Sequence, residues 1–260
     1  MAVTIKSPEE IELMRHSCHL LALMHEELRK ALKPGMSTWE IDRLGEEIIR
    51  SYGCVPNFKN LYGYPAAICV SVNEEVVHGI PSKKKIIREG DIVSLDAGLI
   101  YKGWHSDAAR THGVGEISAE AQRLIDVTRQ SFFEGIKYAK AGNHLYDISA
   151  AIGTYAESFG YGVVRDLVGH GIGRALHEDP QIPNFKQIGR GIKIKQGMTF
   201  AVEPMINAGT WQVRCLDDDW TYVSVDGSLS AHYENTIVIT DGEPEILTIL
   251  PEELEKYGLN

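Results

Sequence analysis

Two aspartates in the stretch GDIVSLDAGLIYKGWHSDAART, Gly90 to Thr111, stand where an ordinary fold keeps like charges apart. Asp91-Ile92-Val93-Ser94-Leu95 has the β-branched, apolar texture of a buried strand, and Trp104 to Val114 can return antiparallel to it after Tyr101-Lys102-Gly103. A hairpin folded midway between Tyr101 and Lys102 pairs residues whose numbers sum to 203, which sets Asp96 opposite Asp107. Directly opposed side chains have Cβ atoms about 4.5 to 5.5 Å apart, and like charges there are destabilising. At ~4 Å that repulsion is roughly 4 kcal/mol at an effective dielectric near 20, so two ionised aspartates require a counter-charge, and a bound cation is the simplest one. The pair by itself leaves open a different register, with both aspartates solvated at strand ends.

Two more carboxylates extend the pattern. Glu203 and Glu234 become cross-strand partners in a hairpin centred on Asp217-Asp218-Asp219, although Asp226-Gly227 signals a further turn between them. A histidine from Gly169-His170-Gly171-Ile172-Gly173-Arg174-Ala175-Leu176-His177 adds nitrogen to the set. Carboxylates with imidazole suit manganese, iron, cobalt or zinc, whereas calcium or magnesium favours an all-oxygen shell. Four carboxylates and two divalent cations balance in charge, so a dinuclear centre is expected, and two such ions can share a water, lower its pKa and polarise a carbonyl. Of His170 and His177, one can ligate while the other faces substrate; each, like His78, can instead be a satisfied structural histidine. The glycines around His170 do not make a phosphate loop, since they lack the G-x-G-x-x-G spacing and a Walker lysine, and run into His177-Glu178-Asp179-Pro180 instead of a helix.

These groups need elements to hold them. Ser7-Pro8-Glu9-Glu10 is a capped helix start, and Ile11, Met14, Cys18, Leu21, Leu28 and Leu32 recur at helical spacing up to Lys33-Pro34-Gly35. Further helices are expected over 37–52, 118–140 and 144–159, with strands over 66–72 and 163–168 and another continuing from Thr236 to Thr240; Lys83 to Lys85 reads as a solvated loop. The order helix, helix, strands occurs twice. A shift of 107 residues carries Lys33-Pro34-Gly35 onto Lys140-Ala141-Gly142 and Ile92–Asp96 onto Thr199–Glu203, so Asp96 maps onto Glu203. One domain over 1–260 is expected, in related halves of about 1–115 and 116–260.

The chain's 260 residues are 43% hydrophobic, enough for a sizeable core, and its net charge of −10 argues against a general nucleic-acid surface. No apolar run reaches the roughly 18 residues of a membrane span, and MAVTIKSPEE lacks a signal peptide's apolar core, which points to the cytoplasm. Cys18, Cys54, Cys69 and Cys215 are scattered without a C-x-x-C pair and read as reduced thiols.

Val76-Val77-His78-Gly79-Ile80-Pro81, Leu95-Asp96-Ala97-Gly98, His105-Ser106-Asp107, Gly169-His170-Gly171-Ile172-Gly173, Glu203-Pro204 and Tyr233-Glu234-Asn235-Thr236 together resemble the motif series of type I methionine aminopeptidases, over essentially the whole chain. The resemblance implies an α+β pita-bread fold of two pseudo-symmetric halves, with an antiparallel sheet covered by helices on one side. It implies that Asp96 holds one metal, that Asp107 and Glu234 bridge two, and that His170 and Glu203 complete the second. A bridging water or hydroxide would attack the first peptide carbonyl, with Glu203 shuttling a proton and His78 and His177 steadying the scissile nitrogen and carbonyl oxygen. Phe58, Tyr64, Cys69, Leu176 and Trp220 are candidates for the methionine pocket, each of which could equally be plain core. The implied partners are peptides and nascent chains beginning with methionine before a small residue, with transient ribosome contact, no nucleic-acid specificity, no membrane, and a monomeric enzyme. Val77, Leu176, Tyr62 and His232 depart from residues common in the family and put the pocket's shape in question. Competing readings are a proline-directed dipeptidase or aminopeptidase on the same fold and a non-catalytic binding protein of that fold.

Overall fold

The computed structural model describes residues 3–256. Helices α1 (Pro8–Ala31) and α2 (Thr38–Ser51) begin at Ser7 and Ser37, each with both bonds of a capping box to the glutamate three residues on. Helices α3 (Ala119–Ile136) and α4 (Leu145–Ser158) start behind Ser118 and His144. The strands that matter for the site are β1 (Cys69–Val72), β2 (Ile92–Tyr101), β3 (Trp104–Gly113), β4 (Gly169–Gly171), β5 (Glu178–Ile182), β6 (Thr199–Val202) and β7 (Glu234–Val238). They belong to one nine-stranded sheet whose main path runs from Val55–Pro56 through β2, β3, β7, β6 and β4 to β5, with β1 added beside β2. Two three-stranded sheets flank it. The expected strand at 66–72 is confined to Cys69–Val72, the one at 163–168 to Gly162–Val163, and α3 stops at Ile136 rather than Lys140. Local propensity extends further than the available pairing partners.

The register of β2 with β3 differs from the expected one. Tyr101 pairs with Trp104, so the loop is Lys102-Gly103, both at positive φ (48° and 79°), and Asp96 faces Ala109 while Asp107 faces Gly98. A two-residue loop with left-handed backbone at both positions matches the twist of the strands it joins, and it moves the pairing by two residues. Asp96 and Asp107 are therefore diagonal neighbours, not directly opposed, but a two-residue shift leaves them on the same face. The second hairpin keeps its expected centre. Val202 pairs with Asn235, Met205 with His232 and Val213 with Ser224, all with numbers summing to 437. The signalled extra turn sits inside this long hairpin and does not disturb its register.

Alternation along the strands separates two faces. Val93, Leu95, Ala97 and Leu99 of β2 pack with Leu21, Met24 and Leu28 of α1 and Ile41, Ile48 and Ile49 of α2. Phe200 and Val202 of β6 and Ile237 of β7 pack with Phe132 and Phe133 of α3 and Ile148 and Ile152 of α4. The residues between them, including Asp96 and Glu234, face the other way. The 107-residue offset recurs in the structure: α2 and α4 begin and end at that spacing, the isolated bridges Ser37 to Ile86 and His144 to Lys193 carry it, and so do the bonds from Gly35 N to Ile87 O and Gly142 N to Ile194 O. No helix among the described residues is long and apolar enough to cross a membrane.

Buried Arg110 joins β3 to β7. It donates to the backbone carbonyls of Ala109 and Glu234, to Asn235 Oδ1 at 2.8 Å and to Thr248 O at 3.0 Å. Arg110→Met removes a donor from each of these acceptors, Asn235 Oδ1 keeping its bond from Thr248 Oγ1 at 3.0 Å, and each buried group left unsatisfied costs about 1 to 3 kcal/mol. Urea unfolding is expected to show a loss of roughly 3 kcal/mol, and a loss below about 1 kcal/mol would contradict this role.

Candidate metal centre

Five adjacent strands deliver the five expected ligands to one sheet face. Asp96 on β2 and Glu234 on β7 both oppose Ala109 on β3, and Asp107 lies two residues before Ala109. His170 on β4 opposes Ala201 on β6, and Ala201 opposes Thr236 on β7. Glu203 follows Ala201 by two residues, and Thr236 follows Glu234 by two, so all five point to the same side. Ligand atoms of Asp107, His170 and Glu234 lie within 4.8 Å of one another. His170 Nε2 is 3.7 Å from Asp107 Oδ2 and 3.6 Å from Glu203 Oε1.

The glycines about His170 serve packing. A Cβ on Gly169 would lie 2.4 Å from Ala201 O, and one on Gly171 would lie 2.2 Å from Asp179 O, so only glycine lets β4 run this close to both neighbours. His170 Nδ1 lies 2.9 Å from Gly171 O, a contact that holds as a hydrogen bond only if Nδ1 carries the proton. The Nε2 lone pair is then turned toward carboxylate oxygens. A lone pair facing two acceptors is repulsive unless a proton or a metal cation lies between them.

Burial sharpens that conflict. Asp96, Asp107 and Glu234 are buried, and Asp96 Oδ1, Asp107 Oδ1 and Glu234 Oε1 have no hydrogen-bond partner among the described residues. Burial pushes the Asp96 carboxyl up to about 7. Burial, then repulsion from Asp96 and Glu203, raises Asp107 well above the usual carboxylate range. Glu203 is raised by burial and Asp96, and Glu234 by burial and the other three carboxylates, with Arg110 opposing. Burial lowers His170 to about 4, with His177 adding to the shift, which keeps the imidazole neutral. Orphaned oxygens, a neutral imidazole and four mutually repelling carboxylates fit a divalent cation, whose charge reverses these shifts.

The expected substrate-contacting residues converge on the same region. His78 is held at φ 58°, a backbone region costly for a non-glycine residue, between the rings of Trp220 (6.4 Å) and Tyr222 (6.0 Å). His177 is exposed, 4.6 Å from the His170 ring and stacked on Tyr62 at 6.0 Å. Phe58, Tyr64, Cys69, Leu176 and Trp220 fall in one apolar cluster, and Cys69 is the β1 partner of Asp96. Val77 is buried in a separate cluster with Val76, Val164 and Met205.

His232, which the sequence marks only as a departure bearing on the pocket, stands among the carboxylates. Its Nε2 is 3.9 Å from Glu203 Oε2 and 3.9 Å from Glu234 Oε2, and neither ring nitrogen has a hydrogen-bond partner among the described residues. Sequence reasoning also missed the supports of the ligands. Thr236 Oγ1 donates to Asp107 O at 2.8 Å and accepts from Asp107 N at 3.1 Å, and Asn184 Nδ2 donates to Glu203 O at 3.0 Å. A charged Arg110 three residues after Asp107 in a buried strand was the one available signal.

The sheet, its helical cover and the acidic face define the pita-bread class, which solved relatives share. A methionine aminopeptidase structure from Thermotoga maritima superposes with a TM-score of 0.93 and 47% identity, over 96% of this chain and all of that one. An Xaa-Pro dipeptidase from Bacillus anthracis superposes at 0.75 with 25% identity, over 95% of this chain and 62% of the other. The chain belongs to metallopeptidase family M24, whose model matches residues 12–241. It is 53% identical over 247 residues to a methionine aminopeptidase of Clostridium acetobutylicum, covering 95% of this chain and 99% of that protein.

Stability should report the cation. The metal-free fold holds carboxyls whose pKa is raised over the unfolded chain, so their contribution is complete below about pH 4 and is lost as pH rises through about 7, the Asp96 value, and beyond. Manganese added to chelator-treated protein is expected to raise the melting temperature by several degrees more at pH 8 than at pH 5, and equal shifts would contradict the assignment.

Proposed function

We propose that the chain is a methionyl aminopeptidase that removes the first methionine from peptides and nascent proteins when the next residue is small, using two divalent ions of manganese, iron, cobalt or zinc. The observation that carries this reading is the His170 Nε2 facing the oxygens of Asp107 and Glu203 within a sheet face that also presents Asp96 and Glu234. Asp96 would hold one ion, Asp107 and Glu234 both, and His170 with Glu203 the other. When bound, such ions supply Lewis-acid polarisation of a carbonyl and acidify water.

The remaining work falls to side chains. Glu203 is suited to take a proton from water at its carboxylate and return it to the departing amine nitrogen. His177, beside His170, would donate to the carbonyl oxygen as negative charge develops, and His78 would contact the scissile nitrogen. The cluster of Phe58, Tyr64, Cys69, Leu176 and Trp220 would take the flexible thioether side chain and keep water from the reacting bond. We read residues 1–260 as a single catalytic domain with halves meeting near residue 115. Four free cysteines support a reducing, cytoplasmic location. A monomer that meets the ribosome transiently, where methionyl termini emerge, fits such substrates.

Turnover of Met-Ala-Ser, abolished by chelation and restored by added metal, with no turnover of an X-Pro peptide, is the expected result; the reverse preference would assign the proline-directed activity instead. Glu234→Gln should abolish turnover together with stoichiometric metal uptake, and near-normal turnover would remove the bridge. His177→Ala is expected to lower kcat by 100-fold or more, about 2.7 kcal/mol of transition-state stabilisation, while metal content measured by atomic absorption stays unchanged. Loss of metal in that variant would make His177 a ligand.

A further inference from the structure

The N-terminal segment reaches the candidate site through one nearly buried ion pair. Lys6 Nζ lies 2.6 Å from Glu178 Oε2, with side-chain exposures of 5% and 13%, and Thr4 Oγ1 donates to the same oxygen at 2.7 Å. Lys6 Nζ also donates to Thr4 Oγ1, and the Lys6 backbone N–H donates to Gly197 O at 2.8 Å, which ties the segment to the turn before β6. The other oxygen of Glu178 accepts from the backbone N–H groups of Arg174 at 2.8 Å and Ala175 at 3.2 Å.

Glu178 thus clamps the tight loop whose next two residues are Leu176 and His177. The loop is closed from both sides: Gly173 N donates to Ala175 O at 3.0 Å, and Gly173 O accepts from His105 N at 2.9 Å. A Cβ on Gly173 would lie 2.5 Å from Lys6 Cε and 2.7 Å from Glu178 Oε1, so the pair fills the space under the loop. Charge-assisted bonds to a carboxylate are about twice as strong as neutral ones and fix direction as well as distance. Leu176 leaves this loop into the apolar cluster, and His177 leaves it toward His170.

We propose that Glu178, held by Lys6 and Thr4, is a positioning residue that sets His177 against the substrate carbonyl and Leu176 against the first side chain. Turnover and first-residue selectivity then both depend on the N-terminal segment. The proposal rests on the aminopeptidase reading above.

The test compares Glu178→Gln and Lys6→Met with the parent at saturating manganese. Each is expected to lower kcat for Met-Ala-Ser by 10- to 100-fold with KM changed less than threefold, to alter the Met-to-Leu preference at the first residue, and to leave manganese affinity unchanged. In a His177→Ala background the kcat loss caused by Glu178→Gln should shrink to less than twofold, because the loss in rate passes through a side chain already removed, while the altered Met-to-Leu preference, which passes through Leu176, should persist. Full, additive loss in that background, or parent-like kcat in both single variants, would overturn the proposal. Should Glu178→Gln fail to fold, Lys6→Met decides, since it removes the pair from the far side and keeps the loop's own carboxylate. If the parent does not cleave methionyl peptides, it is the aminopeptidase reading that falls. Positioning is then judged by NMR: shifted and broadened His177 ring and Leu176 methyl signals in Lys6→Met would sustain it, and unmoved signals would end it.

Discussion

Mutual repulsion among buried carboxylates is the constraint on which this structure turns. Asp96, Asp107 and Glu234 sit on the sheet face away from the helices, with Glu203 at the end of the next strand. Burial raises the pKa of all four, Asp96 adds to the shifts of Asp107, Glu203 and Glu234, and several of their oxygens find no donor among the described residues. Apolar side chains would be more stable at those positions. The arrangement makes physical sense once positive charge is supplied at the centre, and it then converts an unfavourable core into a strong field for polarising a carbonyl.

The surrounding fold reads as the means of holding that repulsion in place. One face of the sheet is packed against α1, α2, α3 and α4 through continuous apolar clusters, which gives the strands a rigid base. Glycines at 169 and 171 let β4 lie against its neighbours so that His170 arrives beside Glu203 and Asp107. Buried Arg110 and the Thr236 hydroxyl tie β3 to β7, fixing Asp107 and Glu234 relative to each other. These supports decide the geometry of the candidate ligands as much as the candidate ligands themselves do.

The same economy appears around the two histidines proposed to meet substrate. His78 occupies a left-handed backbone conformation, and Gly79 follows it where a Cβ would lie 2.4 Å from Val70 O. Strain of this kind persists only when packing overdetermines it. His177 instead is exposed and follows a loop whose Arg174 and Ala175 N–H groups donate to Glu178. One histidine is held at a strained, half-buried backbone position, and the other follows a hydrogen-bonded loop.

Much of this was legible in the chain alone. Capping boxes at Ser7 and Ser37, the 107-residue offset and the centre of the second hairpin follow from local rules, because caps, turns and alternation act over a few residues. The acidic residues could be named from their improbable positions in apolar strands. The register of β2 with β3 could not, since a choice of loop at Lys102-Gly103 moves every pair by two residues while both alternatives satisfy the alternation. Nor could the place of His232 between Glu203 and Glu234, or the reach of Lys6 to Glu178, be read from spacing. Those contacts join residues far apart in sequence, and only the packing of sheet, helices and loops into one body decides which distant side chains meet.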